Sequence, residues 1–180
     1  TSKRSYPAGP LASQVLGFVG TDGVGLTGLE LAYQDALAGT PGERTHELGL
    51  SGQAIVGGVD EERSAIAGSS VVTTIDRGLQ FHAQTALEDA VEEQGARGGT
   101  VIVMDPETGE ILAMVSYPWF DPNTFADAPG TTYRNRAVTD AYEPGSTNKV
   151  ITAAAAIQER AIDPEMRLTV PWTMPVGDYV

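Results

Sequence analysis

The sequence has 180 residues, enough for one ordinary domain or two small ones. Its 41% hydrophobic and 19% charged residues are the proportions of a folded globular chain, while 21 glycines and 11 prolines point to many turns. Against 24 acidic residues there are 11 lysines and arginines, a formal net charge of -13 that opposes any general attraction to nucleic acid or to an anionic membrane surface.

Cysteine is absent, which excludes disulfide frameworks, thiolate nucleophiles and thiolate metal sites. The two histidines, His46 and His82, are far apart and lack metal-ligand spacing, so no metal and no cofactor is expected and a Ser-His-Asp triad has little to draw on. His82 reads as a helix-surface residue. The longest apolar run, residues 150–157, is far short of the ~20 residues of a membrane span.

Residues 1–25 are rich in glycine and proline and carry the apolar patch Val15-Leu16-Gly17-Phe18-Val19, which predicts short extended or irregular structure. Thr27-Gly28-Leu29-Glu30 has the spacing of a capping box. It predicts a helix along Leu29, Ala32, Tyr33, Ala36 and Leu37, stopped by Gly39 and Pro41. Residues 42–70 are glycine-punctuated and predict strands and loops, with the acidic run Asp60-Glu61-Glu62-Arg63 a solvated loop. The β-branched run Val71-Val72-Thr73-Thr74-Ile75 suits an extended segment, and Asp76 is placed to cap a helix over 78–94 with the apolar face Leu79, Ala83, Ala86, Leu87, Ala90 and Val91. Residues 100–104 and 110–116 are apolar, β-rich and joined by Asp105-Pro106-Glu107-Thr108-Gly109, which predicts a hairpin covered on both faces, one of them by the preceding helix. Residues 118–130 read as a long surface excursion, residues 146–159 as a strongly apolar helix, and residues 163–180 as a Pro-rich extended tail.

Ser146-Thr147-Asn148-Lys149 opens that last helix, so Ser146 and Lys149, three apart, share a face and their side chains can meet. A serine and a lysine form a complete nucleophile–base unit, because the hydroxyl attacks only once a neighbour accepts its proton. A helix N-terminus also favours negative charge at the serine, and the Ser146 amide is a candidate oxyanion donor. The tetrapeptide alone is weak, and a helix cap beside a snorkelling lysine explains it about as well. Context sharpens it: Lys3 and Lys149 are the only lysines of the chain, and Lys149 stands in its most apolar helix, whose apolarity predicts burial around Lys149.

Tyr142-Glu143-Pro144-Gly145-Ser146-Thr147-Asn148-Lys149 resembles the active-site serine motif of the class B penicillin-binding proteins, the monofunctional D,D-transpeptidases of bacterial cell-wall synthesis. Further stretches match in the family's order. Arg4-Ser5-Tyr6-Pro7 with Gly17 and Gly28-Leu29-Glu30 resembles the end of the non-catalytic pedestal module, and Thr74-Ile75-Asp76 with Leu79-Gln80 resembles the start of the transpeptidase domain. Residues 104–114 and 117–123 resemble its first hairpin and following loop, and Asn135-Arg136-Ala137 its approach to the serine.

The resemblance implies an α+β chain: residues 1–69 end a pedestal or dimerisation module, and residues 70–180 begin a transpeptidase domain of the serine β-lactamase type. It implies acylation of Ser146 by a peptidoglycan stem peptide or by a β-lactam antibiotic, with Lys149 as base. Substrate-binding residues stay unassigned. Asn148 stands where many members carry an apolar or aromatic residue. The family's downstream serine-x-asparagine and lysine-threonine-glycine motifs do not follow Lys149, so the chain reads as an internal fragment that is inactive alone. The resemblance further implies a place on the extracytoplasmic face of the bacterial cytoplasmic membrane, held by an anchor outside this chain, with cell-division or elongation proteins as further partners. Two other readings stay open at this point, a serine β-lactamase and a β-lactam sensor or non-catalytic interaction module.

Overall fold

Glycine and proline at the start of the chain break it into single helical turns instead of the expected extended pieces. In the computed structural model, which describes residues 4–53, 55–167, 169 and 171–173, the first of these is α1 (Ser13–Leu16), within the stretch expected to be extended or irregular, and α2 (Gly28–Ala32) and α3 (Gln34–Leu37) follow where a helix is expected. Val15 and Leu16 are therefore helical, and only Val19 keeps an extended partner, an isolated antiparallel bridge to Gly25. The helix expected from residue 28 is interrupted at Tyr33 (φ -114°, ψ 21°) and ends before Gly39, whose φ is 65°.

The capping box is not formed. Thr27 takes the extended N-cap conformation, but Gly28 follows with φ 58°, which turns the chain away from the geometry that aims the Thr27 hydroxyl at the third helical amide. Thr27 Oγ1 makes no hydrogen bond among the described residues. Glu30 turns instead to Arg4, whose Nη2 and Nε donate to Glu30 Oε1 at 2.6 and 3.1 Å. Glycine at 17 is required by proximity as well as by its φ of 77°, since a Cβ there would lie 1.9 Å from the Thr27 carbonyl oxygen.

β1 (Glu43–His46) and β2 (Asp60–Arg63) pair antiparallel, Glu43 opposite Arg63 and His46 opposite Asp60. The acidic run is thus a strand, paired through its backbone, with exposed Arg44–Asp60 and Arg63–Glu43 ion pairs across the ladder at 3.0 and 3.3 Å. Residues 70–75 form no ladder; Thr74 Oγ1 donates to the Ile111 carbonyl at 2.6 Å and the Asp76 amide to the Leu112 carbonyl at 2.8 Å.

α4 (Arg77–Glu93) starts as expected, the Asp76 carboxylate accepting from the Leu79 amide at 2.8 Å, and stops before Gly95, whose φ is 58°. It packs on the hairpin of β3 (Gly99–Met104) and β4 (Ile111–Tyr117), antiparallel with a register shift at Val103/Met104. Leu87, Val91 and Val115 form the core between helix and sheet, with Ala83, Val101, Tyr117 and Trp119 against it. The buried stripe of α4 is Gln80, Gln84, Leu87 and Val91, so its first half is rotated from the expected face and Leu79 is left exposed. Both glutamines turn inward because backbone groups there need partners: Gln80 exchanges two bonds with Met114, at 2.9 and 3.0 Å, along the β4 edge that β3 leaves unpaired. His82 is exposed, as expected.

The second face of the sheet is covered only in part. Ser116, buried, meets Asn135, whose side chain also caps α5 (Arg136–Thr139), while Ile102 and Met104 are exposed. Residues 118–133 are no loose excursion: 3₁₀ turns at Pro122–Asp127 and Gly130–Thr132 bring Phe120, Phe125 and Tyr133 around Phe18, with ring centroids 4.5–5.4 Å apart. Asp121 starts the first of these turns by accepting from the Asn123 amide. The chain divides into two units, Thr1–Asp140 and Ala141–Val180. In the second, a 3₁₀ turn, Gly145–Asn148, runs into α6 (Lys149–Gln158). Of the expected tail over 163–180, residues 168, 170 and 174–180 lie outside the described residues.

Candidate active site

Both expected site residues lie in the second unit, on either side of the junction between the 3₁₀ turn and α6. Pro144 (φ -70°) and Gly145 (φ 53°) turn the chain into the 3₁₀ turn, with open space where a Gly145 Cβ would stand. Glycine is needed here for its backbone alone, and an alanine costs about 1 kcal/mol. Ser146 is the second residue of the turn and Lys149 the first of α6. Residues three apart share a side of the chain in a 3₁₀ or an α-helical turn, so the Ser146 hydroxyl and the Lys149 amino group leave the chain on the same side. The Ser146 amide belongs to the open end of the turn, where amides lack acceptors within the helix and stay available to an anionic oxygen.

Both side chains are exposed, and among the described residues no hydrogen bond joins them. The burial expected around Lys149 is not present within this unit. Val150 and Ile151 are each 69% exposed, because α6 is apolar on most of its circumference and the described residues of this unit contribute no strand or second α-helix to face it. Asn148 is exposed, with no side-chain partner among the described residues.

The first unit carries polar detail of another kind. Two surface cavities of about 640 and 620 Å³ flank the Arg4–Glu30 pair, with Tyr6, Leu37 and Pro122 shared between their walls; neither is lined by Ser146 or Lys149. Burial lifts the Tyr6 phenol above its ordinary pKa, while its oxygen accepts from the Val19 amide at 2.8 Å. Asn135 and Ser116, bonded at 3.0 Å, fix the start of α5 on the sheet. Among the described residues no cluster of histidine and carboxylate could hold a metal ion, and no helix is long and apolar enough to cross a membrane.

Comparison with known proteins fits this order of elements. A penicillin-binding protein dimerisation domain family matches residues 1–73, and a penicillin-binding protein transpeptidase domain family matches residues 99–178. The penicillin-binding protein PbpB of Mycolicibacterium smegmatis is 38% identical over 97% of this chain and 27% of its own length. A probable peptidoglycan D,D-transpeptidase PenA of Neisseria gonorrhoeae is 40% identical over 98% of this chain and 31% of its own. Among solved structures, penicillin-binding protein 3 of Mycobacterium tuberculosis complexed with ampicillin superposes with a TM-score of 0.79 at 35% identity, covering 98% of this chain and 36% of that one.

The chain belongs to the class B penicillin-binding proteins. It spans about a quarter to a third of the length of the curated relatives it matches, and combines a dimerisation module with the start of a transpeptidase domain.

Proposed function

We propose that the chain is part of a peptidoglycan D,D-transpeptidase, inactive by itself, with Ser146 as nucleophile and Lys149 as the base of acylation. The observation that carries the reading is the placement of these two residues one turn apart across the junction of the 3₁₀ turn and α6, within a chain alike over nearly its whole length to proteins named for this activity. Ser146 Oγ attacks the carbonyl carbon of the penultimate D-alanine of a stem peptide, and its proton passes to Lys149 Nζ. The peptide bond to the terminal D-alanine breaks, and the departing nitrogen takes that proton back from Lys149 Nζ. An acceptor amine then attacks the serine ester, forming the cross-link and restoring the hydroxyl. The Ser146 amide donates to the oxyanion of both steps.

β-Lactams occupy the same serine by opening their ring onto it. In this reading residues 1–69 end the pedestal module and residues 70–180 begin the catalytic one, and the protein works on the outer side of the cytoplasmic membrane, where it meets division or elongation proteins. Labelling of the intact protein with a fluorescent penicillin tests the site. Ser146→Ala abolishes the covalent adduct, and Lys149→Arg slows its formation at least a hundredfold, since an arginine keeps the charge but does not accept a proton at neutral pH. A Lys149→Arg protein that acylates at the parental rate would remove Lys149 from the reaction. Rapid release of the label would favour a β-lactamase instead.

A further inference from the structure

Gln80 is the largest fully buried side chain in the first unit, 1% exposed, and neither it nor Gln84 (7%) has a part in the acyl-transfer reading. An amide buried at this cost persists where it replaces backbone partners. Gln80 acts as one residue of a missing strand: Met114 N–H donates to its Oε1 at 2.9 Å, and its Nε2 donates to the Met114 carbonyl at 3.0 Å. The same Nε2 donates to Gln84 Oε1 at 3.2 Å, and that oxygen accepts from the Ala12 amide at 3.0 Å. Gln84 Nε2 reaches the Pro10 carbonyl at 3.4 Å.

Around this line the N-terminal segment is fastened twice more. Gln14 Nε2 donates to the carbonyls of Pro118 and Thr132, at 2.9 and 3.1 Å, and the Asn123 side chain exchanges two bonds with the backbone of Tyr6. Residues 4–26, which the dimerisation-domain match includes, are thereby registered on α4, β4 and the loop after it.

We propose that Gln80 and Gln84 form an amide relay that couples the N-terminal segment to the unpaired edge of β4, so that residues 4–26 open and close with the sheet as one unit. The relay has a property that separate local bonds lack: no hydrogen bond joins Gln80 to Ala12, yet its Nε2 holds the Gln84 oxygen on which the Ala12 amide rests. Losing Gln80 therefore loosens Ala12 through Gln84.

Hydrogen exchange of the intact protein reads this directly at the amides of Ala12 and Met114. In the parent the two are protected to the same degree, although distant in sequence, because both exchange through one shared opening. Gln80→Met lowers protection at both amides by about tenfold. Gln80→Glu keeps the acceptor for Met114 N–H and loses the donor to Gln84. Its Ala12 amide is deprotected at neutral pH and regains protection, relative to the parent at the same pH, as acid protonates the new carboxyl. The relay is overturned if Ala12 in the parent exchanges far faster than Met114, or if Gln80→Met or Gln80→Glu leaves Ala12 at parental protection. A Gln80→Met protein that does not fold leaves the parental comparison and the Gln80→Glu titration to decide.

Discussion

The two hairpins of the first unit share a topology and differ in what holds them. β3 and β4 carry Ala113 and Val115 at 0% and 2% exposure beneath α4, and Asp105 shapes their turn. β1 and β2 are exposed at all eight positions, and their register is marked by cross-strand charge: Arg44 with Asp60, and Arg63 with Glu43. Beyond them the chain exposes Leu50 and Val56 completely. A two-stranded hairpin is marginal in water unless something packs on a face. Backbone pairing therefore gives both hairpins their shape, but burial under α4 gives only the second a core. Surface ion pairs do not substitute for that core, since each is worth little and is screened by salt.

The largest effect that separates the hairpins is loss of the cluster under α4. Leu87→Ala removes a side chain packed with Val91 and Val115 and leaves a cavity, and is expected to cost about 2–4 kcal/mol in the chemical denaturation of the intact protein. Leu50→Ala, in the exposed part of the first hairpin, is expected to stay within about 0.5 kcal/mol. Equal losses would mean that the first hairpin is buried against something comparable to α4.

How much of this was legible depended on whether the deciding partner lay nearby in the chain. The β3–β4 hairpin could be read because Asp105-Pro106-Glu107-Thr108-Gly109 encodes its own turn, the Asp105 carboxylate accepting from the Glu107 and Thr108 amides. The one-turn spacing of Ser146 and Lys149, on which their proposed roles rest, could be read for the same reason. The inward Gln80 and Gln84 were not, because their partners, Met114 and Ala12, come from distant chain and periodicity counts an amide as a surface residue. The capping box failed on one residue, Gly28, whose positive φ no propensity rule anticipates between Thr27 and Glu30. Burial around Lys149 was expected from apolarity alone, which says that a face wants covering but not what covers it.

Glycines sharpen the comparison at a lower level. At the base of the first hairpin, a Cβ on Gly68 would lie 2.0 Å from the Leu37 carbonyl oxygen, so Gly68→Ala forces two backbones apart and is expected to cost about 2 kcal/mol or more. In the turn of the second hairpin Gly109 has φ 77° and open space around it, and Gly109→Ala is expected to cost about 1 kcal/mol. Asparagine distinguishes the causes. It tolerates the left-handed conformation, so Gly109→Asn recovers most of the loss, whereas Gly68→Asn is no better than alanine. Denaturation midpoints of the four variants check this, and a Gly68→Ala protein as stable as the parent would mean that the crossing relaxes freely.

The smallest effect lies in two aspartates, one in each hairpin, held below their ordinary pKa by different causes. In Asp60 the cause is the Arg44 guanidinium, first as a hydrogen-bond donor and then as a charge. In Asp105 it is the backbone amides of Thr108 and Glu107. For both, the folded pKa lies below the unfolded one, so the stabilisation is complete above the ordinary carboxylate range and disappears as pH falls through the depressed folded value. Their response to salt differs. Asp60 and Arg44 face solvent, where about 1 M salt shortens the screening length to about 3 Å, so the Asp60 midpoint climbs toward its ordinary value. The Asp105 amides sit within the turn itself and are not displaced by mobile ions, so its midpoint stays low. Carboxyl titration by NMR at low and high salt checks both, and Arg44→Gln is expected to raise Asp60 while leaving Asp105 unchanged. If Asp60 holds its low midpoint in high salt, the Arg44 pair is sheltered from solvent, and the first hairpin is packed in a way its exposed faces do not show.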